Sequence, residues 1–269
     1  MPSTPAFWTL HCQAGTDVRR SCHNDAVKVS QTSPAPAIIL VHGAWLDGSS
    51  WREVIALLQK ESWDAVAVQN PLTSFAEDVS TVIRTIERQR NGVVLVGHGY
   101  GGSVISQAGT HARVQGLVYI AAIAPDVGES SGDALKSLPN SAYPKLLKSD
   151  AQGFVQLTRD AFVNYFAHDL PNTESHVLSA TQIPIHERAL SARLTASANR
   201  SKPAFYILTE KDRMIAPEAQ QQFIECTRAK SVSIATGHVP FLSRPPQTTA
   251  QIIAGVNFIT ARRSRRNGR

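Results

Sequence analysis

The chain has 269 residues, of which 42 % are apolar, and a formal net charge of +6. This length suits one large α/β domain or two small ones. No apolar run reaches the ~18–20 residues of a membrane span, and the first apolar stretch is too short for a signal peptide. The last ten residues hold five arginines and no acid, so the remainder is nearly neutral. We therefore expect neither a membrane nor a nucleic acid as partner.

The cysteines indicate neither a disulfide framework nor a metal site. Cys12, Cys22 and Cys226 are odd in number and lack the spacing of zinc ligands. A reducing, cytoplasmic location is the expectation. The sequence implies no metal and no organic cofactor, and it leaves the oligomeric state open.

Strands and helices alternate along the first half of the chain. Residues 1–35 are rich in Ser, Thr and Pro and are expected to be a disordered extension. The strands predicted after it are AIILVH, DAVAVQNP, GVVLVG and VQGLVYIAAIAP, and the helices between them are SWREVIALLQK, SFAEDVSTVIRTIERQR and GGSVISQAGTHA. Because the strands are apolar on both faces, they predict a mostly parallel sheet with helices on both sides.

The alternation stops at about 126–200, where prolines and short amphipathic pieces predict a helical cap over the sheet. Its apolar residues would line the pocket or form its own core; they are Phe154, Leu157, Phe162, Tyr165 and Phe166. The strands PAFYILTEKD and KSVSIAT and the helices PEAQQQFIECTRA and PPQTTAQIIAGVNFITA follow. These patterns predict one α/β domain over 36–260 and a disordered basic tail over 261–269.

The stretch VVLVGHGYGGSVI, residues 93–105, has two interpretations. Gly97, Gly99 and Gly102 spell the G-x-G-x-x-G loop of a dinucleotide site, with Asp126 as a candidate acid on a following strand. However, such a loop usually follows the first strand of its fold, whereas this one follows the third. The bulky His98 and Tyr100 would also crowd a pyrophosphate. A bare glycine pattern is weak evidence, so this interpretation ranks second.

In the other interpretation the stretch is a nucleophile elbow whose serine is replaced by Gly99. An elbow is a tight strand-to-helix turn that needs small neighbours, and Gly97 and Gly101 supply them. An oxyanion hole takes one N–H after the nucleophile and one from the loop after the first strand. Those groups would belong to Tyr100 and to Ala44 in VHGAW.

Two further residues follow later strands in the order that this chemistry needs. Asp212 in TEKDRMIAP follows one strand, where an orienting carboxylate belongs, and His238 in ATGHVPFL follows the last. Each alone has a structural alternative, a capping Asp or a buried His. The order of elbow, acid and histidine is more specific than any one of them.

These motifs give the chain a recognisable resemblance. From Ala37 to about Ile259 it resembles bacterial α/β-hydrolases of the esterase and hydroxynitrile-lyase-like branch, through VHGAWLDGSSW, VQNPLTS, VLVGHGYGG, VYIAAIAPDVGES, DRMI and HVPFLSRP. The resemblance implies an eight-stranded fold, a small helical cap and a small-molecule substrate. It also fixes Asp212 as the acid ahead of Asp126. Relatives carry Ser where this chain carries Gly99.

Without a side chain at Gly99 no acyl-serine can form, so ordinary serine-esterase turnover is not expected. Ser103 and Ser106 lie on the next helix and should point elsewhere. Three hypotheses follow: an enzyme that uses His238 and Asp212 as a base on a small apolar ester or carbonyl compound, an engineered or accidental replacement of a working Ser, and a ligand-binding protein without turnover. Trp45 and His98 are candidate pocket residues, although packing beneath the turn is favoured for His98.

Overall fold

A computed structural model describes residues 35–136 and 146–267. The predicted disordered extension, with Cys12 and Cys22, lies outside these residues apart from Ala35, so it stays a prediction. Cys226 is a free, exposed thiol. Within the described part of the chain, no helix is both long enough and apolar enough to cross a membrane.

The centre of the fold is a parallel sheet of six strands. Their order is β2-β1-β3-β4-β8-β9, and every neighbouring pair is parallel. The strands are β1 (Ala37–Val41), β2 (Ala65–Ala67), β3 (Val93–His98), β4 (Val114–Ile120), β8 (Ala204–Thr209) and β9 (Lys230–Ile234). Every residue of β1 and β3 is buried, which explains their unbroken apolar pattern. The resemblance implied eight strands, and the described residues form six in this sheet.

Helices cover both faces of the sheet, as the alternation predicts. They are α1 (Arg52–Lys60), α2 (Phe75–Glu87), α3 (Gly101–Ala108), α8 (Pro217–Thr227), α9 (Pro240–Ser243) and α10 (Pro245–Asn267). The start of α2 illustrates why a helix begins where it does. The Ser74 side chain accepts a hydrogen bond from the N–H of Glu77, and the Ser74 hydroxyl donates to the Glu77 carboxylate.

The cap between β4 and β8 corrects the prediction of a purely helical insertion. It contains a three-stranded antiparallel sheet in the order β5-β6-β7. The strands are β5 (Leu147–Ser149), β6 (Phe154–Leu157) and β7 (Ile185–His186), and the helices are α4 (Ser131–Lys136), α5 (Arg159–Ala161), α6 (Asn172–Thr181) and α7 (Glu187–Ser191). A π-helical turn spans Phe162–Phe166. Strands of two to four residues are too short to show an alternating pattern.

The helix α10 extends into the basic tail, as far as Asn267. Arginine is a good helix former, so a run of arginines readily extends an existing helix. The Arg262 guanidinium lies 5.6 Å from the centre of the Phe258 ring, one turn earlier on the same helix. Disorder of the tail stays a prediction, beside a helix that extends to Asn267.

Candidate active site

Gly99 lies in the turn between β3 and α3 with a left-handed φ of +53°. A Cβ built on it would lie 3.5 Å from Nε2 of His238 and 3.8 Å from Cα of Gly43, which are ordinary contact distances. Gly101, two residues later, has no such space, since a Cβ on it would lie 2.6 Å from the carbonyl oxygen of Val41. Residue 99 therefore faces an imidazole across space that a small side chain could occupy.

His238 follows β9 and is held by Asp212, which follows β8. The His238 Nδ1 and the Asp212 Oδ2 are 2.8 Å apart, and both residues are buried. A histidine whose Nδ1 is bound to a carboxylate directs its Nε2 toward the reacting group. The sequence-predicted residues Gly99, Asp212 and His238 are thus brought together although 139 positions separate the first from the last.

The Asp212 carboxylate is fixed by neighbours that the sequence analysis missed. Its Oδ2 accepts hydrogen bonds from Thr209 Oγ1 at 2.9 Å and from Gln220 Nε2 at 3.0 Å. Its Oδ1 accepts from the backbone N–H groups of Met214 and Ile215. The amide of Gln220 sits one helical turn inside α8, and no motif in the sequence marks it. These donors hold the carboxylate in one orientation toward His238.

A small cavity of about 20 Å³ lies in front of His238. Its lining includes Ala44, Trp45, His98, Gly99 and Tyr100, which are all the remaining predicted site residues. Tyr100 is the N-cap of α3, where backbone N–H groups have no carbonyl of the preceding turn to bind. A water molecule needs ~10–15 Å³, so the cavity has room for one water beside the imidazole.

His98 both packs beneath the turn and lines the cavity. Its Nε2 is 2.9 Å from the backbone carbonyl oxygen of His238, and the two ring centres are 4.6 Å apart. Burial lowers the pKa of His98 well below its usual value, so the ring is neutral. Since a neutral ring must carry its proton on Nε2 to bond that carbonyl, Nδ1 is left with a lone pair. His98 thereby supports the backbone that carries His238.

Tyr100 is anchored on its other side by a buried carboxyl group. Its hydroxyl donates to Oδ2 of Asp78 at 2.7 Å, and Oδ1 of Asp78 accepts from the backbone N–H of Leu72. Burial raises the pKa of Asp78 to about 6, while the two hydrogen bonds oppose the shift. The contact connects α2 to the first turn of α3. Asp78 was predicted only as a helix residue, and no local sequence signal pairs it with Tyr100.

The cap is joined to two of the loops that form the site. Trp45, which has a left-handed φ of 64°, donates its indole N–H to the carbonyl of Val155 in β6 at 3.1 Å. The backbone N–H of Gly237, next to His238, donates to Asp169 Oδ2 at 2.8 Å. Phe166 lies with its ring centre 5.1 Å from that of His238. Of the apolar cap residues expected at the pocket, Phe166 lines the cavity.

The other candidates lie elsewhere. Asp126, the alternative acid, forms an exposed ion pair with Arg200. The hydroxyl of Ser103 accepts a hydrogen bond from Ser131, and that of Ser106 donates to the carbonyl of Gly102, so both point away from the cavity as expected. No group of three or more metal-ligating side chains suited to an ion occurs in the described ranges.

The fold agrees with comparisons to known proteins. A family model for the α/β hydrolase family matches residues 38–252, and the chain belongs to that family. A probable hydrolase, R7, from Phoma sp. is 27 % identical over 232 residues, which are 78 % of this chain and 93 % of that protein. The putative methylesterase 15 of Arabidopsis thaliana is 24 % identical over 256 residues, covering 84 % of this chain and 57 % of the relative.

A solved structure shows the same fold. A pyrethroid hydrolase from Sphingobium faniae JZ-2 superposes with a TM-score of 0.69 at 20 % identity, over 83 % of this chain and 98 % of that one. Together with the family match, this confirms the α/β-hydrolase fold with helices flanking a parallel sheet. Members of the family act on small molecules, and its esterase relatives agree with the coarser functional prediction. The dinucleotide interpretation receives no support.

Proposed function

We propose that the chain is a general-base enzyme of the α/β hydrolase family that acts on a small apolar ester or carbonyl compound without an acyl-serine intermediate. One observation carries this proposal: the position that a side chain of residue 99 would take lies 3.5 Å from Nε2 of His238, whose Nδ1 is bound to Asp212. Because residue 99 is glycine, no side chain occupies that position. A base and its orienting carboxylate are therefore present, and the nucleophile must come from elsewhere.

Water is the nucleophile that the cavity accommodates. In ester hydrolysis, His238 Nε2 takes a proton from this water as its oxygen attacks the carbonyl carbon, and Asp212 stabilises the imidazolium. The N–H groups of Ala44 and Tyr100 bind the developing oxyanion. When the C–O bond breaks, the imidazolium returns the proton to the alcohol. Ester and water thus give acid and alcohol, with no covalent enzyme intermediate.

The substrate class follows from the lining of the cavity. Leu135 and Phe166 of the cap and Met214 of the loop after β8 line the cavity, so an acyl group must displace apolar side chains to reach His238. Such a wall favours a small neutral substrate over a charged one. The names of the relatives, a methylesterase and a pyrethroid hydrolase among them, also favour esters. Loss of one member of a Ser-His-Asp triad leaves ~10³–10⁴-fold catalysis over water, so we expect slow turnover.

A second candidate is a protein that binds a small ligand in the same place without converting it. The observation that favours it is the absence of a hydroxyl at Gly99 in a cavity with room for one water. A third hypothesis makes Gly99 a replacement, engineered or accidental, of a working serine. The three hypotheses predict different ester turnover for the natural chain, for His238→Ala and for Gly99→Ser.

The test compares initial rates on p-nitrophenyl and methyl esters of short acids. His238→Ala is expected to lower kcat/KM by ~10²-fold or more, the usual contribution of a general base. His176→Ala is the matched control, because His176 is an exposed cap histidine that bonds Arg159. Equal turnover in the natural chain and His238→Ala would remove the general-base proposal. Saturable binding of an ester that is never hydrolysed would favour the binding protein.

A further inference from the structure

A second concave surface lies at the opposite edge of the sheet from His238. It has a volume of about 770 Å³ and is lined by the first residues of two strands, Val114 of β4 and Ala204 of β8. Gly99, Asp212 and His238 instead follow the last residues of their strands. In a parallel sheet these two edges are a full strand length apart. This surface, called the basic cleft below, is therefore separate from the candidate active site.

Five cationic side chains line the basic cleft: Arg200, Lys202, Arg228, Arg262 and Arg263. Neither Asp nor Glu lines it within the described part of the chain. Two of the arginines come from the basic end of the sequence, which α10 carries to the cleft as a helix. The body of the protein is nearly neutral, so a concentration of positive charge in one concavity is not a consequence of overall composition.

Several of these cations are held in place by their surroundings. Arg228 ends α8 in a left-handed conformation with φ of 53°, which fixes the direction of its backbone at the rim. Arg262 lies over the Phe258 ring. Arg200 pairs with Asp126 at 2.5 Å, so part of its charge is already neutralised. The ion pairs among residues 35–136 and 146–267 include none made by Arg228, Arg262 or Arg263, so these arginines contribute most to the charge of the cleft.

We propose that the basic cleft binds a small molecule that carries two or more negative charges on phosphate or carboxylate groups. Arginine guanidinium groups match the geometry of such anions, since they donate two parallel hydrogen bonds to neighbouring oxygens. The volume lies within the ~300–1,000 Å³ of small-molecule sites. A concave surface of this size encloses a small polyanion, whereas a nucleic acid or a membrane would require an extended basic face.

The test measures binding of pyrophosphate, ATP and citrate to the full chain by isothermal titration calorimetry at low ionic strength. Pyrophosphate and ATP test for a phosphate site, whereas citrate tests for a carboxylate site. The order of their affinities therefore identifies the preferred anionic group. Arg262→Gln with Arg263→Gln is the test variant. Arg265→Gln is the control, because it removes an exposed positive charge from the same helix without lining the cleft.

We expect saturable one-to-one binding that weakens with added salt. The double variant should bind at least about tenfold more weakly, since each charge-assisted hydrogen bond to an anion is worth roughly one decade in affinity. The control should stay within about twofold of the natural chain because it keeps every cleft side chain. Ester turnover should be equal in all three proteins.

Three results would overturn the proposal. The first is no binding of any of the three anions at low salt. The second is equal weakening by the double variant and by Arg265→Gln, which would show a general effect of charge. The third is preferential binding of a single-stranded oligonucleotide or anionic vesicles over pyrophosphate, which would assign the positive charge to a macromolecular surface. Failure here leaves the ester test unaffected, because the two sites share no residue.

Discussion

Introducing a hydroxyl at residue 99 is the most informative perturbation of this site. In Gly99→Ser, the new Cβ would lie 3.5 Å from His238 Nε2, and a staggered Oγ extends the side chain further. The added Cβ meets no atom at less than ordinary contact distance, because the next nearest residue, Gly43, has its Cα 3.8 Å away. We expect the serine to hydrogen-bond His238 and to become a nucleophile.

The free energy of unfolding should fall while activity rises. A residue with a Cβ at φ of +53° costs about 1–2 kcal/mol relative to glycine, so Gly99→Ser should lose that much stability. Gly99→Ala carries the same backbone cost without the hydroxyl and is the matched control. In a serine protease, removing the nucleophile lowers kcat by about 10⁶-fold, so the gain here should lie between about 10²-fold and that limit.

The assay combines urea unfolding, initial rates on p-nitrophenyl butyrate and intact mass after treatment with a fluorophosphonate. Gly99→Ser should gain one phosphonyl group and show fast turnover, whereas Gly99→Ala and the natural chain should show neither. The two variants should unfold with similar free energies. A folded Gly99→Ser protein that is unlabelled and no faster than Gly99→Ala would refute the placement of residue 99 opposite a working base.

Three more substitutions test the surroundings of the site. Asp212→Asn should lower kcat by ~10²–10⁴-fold without unfolding the protein, because the amide holds the wrong histidine tautomer; initial rates and circular dichroism check this. Burial raises the pKa of Asp78 from 3.8 to about 6, so ionising it in the folded state costs about 3 kcal/mol. Stability should fall as pH rises from about 4 to 6, and Asp78→Asn should remove that component of the Tm profile. Trp45→Phe should lower the free energy of unfolding by about 1 kcal/mol, measured in urea, because the Val155 carbonyl loses its donor.

The sheet and the order of the site residues could be predicted because both depend on local pattern. Buried strands such as β1 and β3 are continuous apolar runs, and a tight turn after a strand requires glycine. Asp212 and His238 each follow a predicted strand. Since the carboxyl ends of parallel strands share one edge of the sheet, their proximity to Gly99 follows from the fold alone.

The strands of the cap and the contacts of the cap with the site loops could not be predicted because they depend on pairings far apart in sequence. Trp45 reaches a carbonyl 110 positions away, and Gly237 is held by a carboxylate 68 positions away. The antiparallel strands β5, β6 and β7 have four residues or fewer, and their pairing stabilises them more than their own propensities do. The size of the cavity likewise depends on how side chains such as Phe166 pack.

The helical extension of α10 into the basic tail was not predicted, for a different reason. High charge and the position at the end of the chain favoured disorder, but arginine has high helix propensity and α10 already provides the costly first turns. Once a helix is nucleated, each added residue contributes one more hydrogen bond. The helical continuation is what brings Arg262 and Arg263 to the basic cleft, which no pattern in the sequence indicated.

The most direct measurement of the proposed chemistry is a stopped-flow trace of the natural chain with p-nitrophenyl butyrate, paired with the intact mass of protein quenched during turnover. Attack by a water that His238 deprotonates predicts linear release of nitrophenolate from the first turnover and an unmodified mass. A burst equal to the enzyme concentration, or a butyryl group on the protein, would show a covalent intermediate and contradict the mechanism.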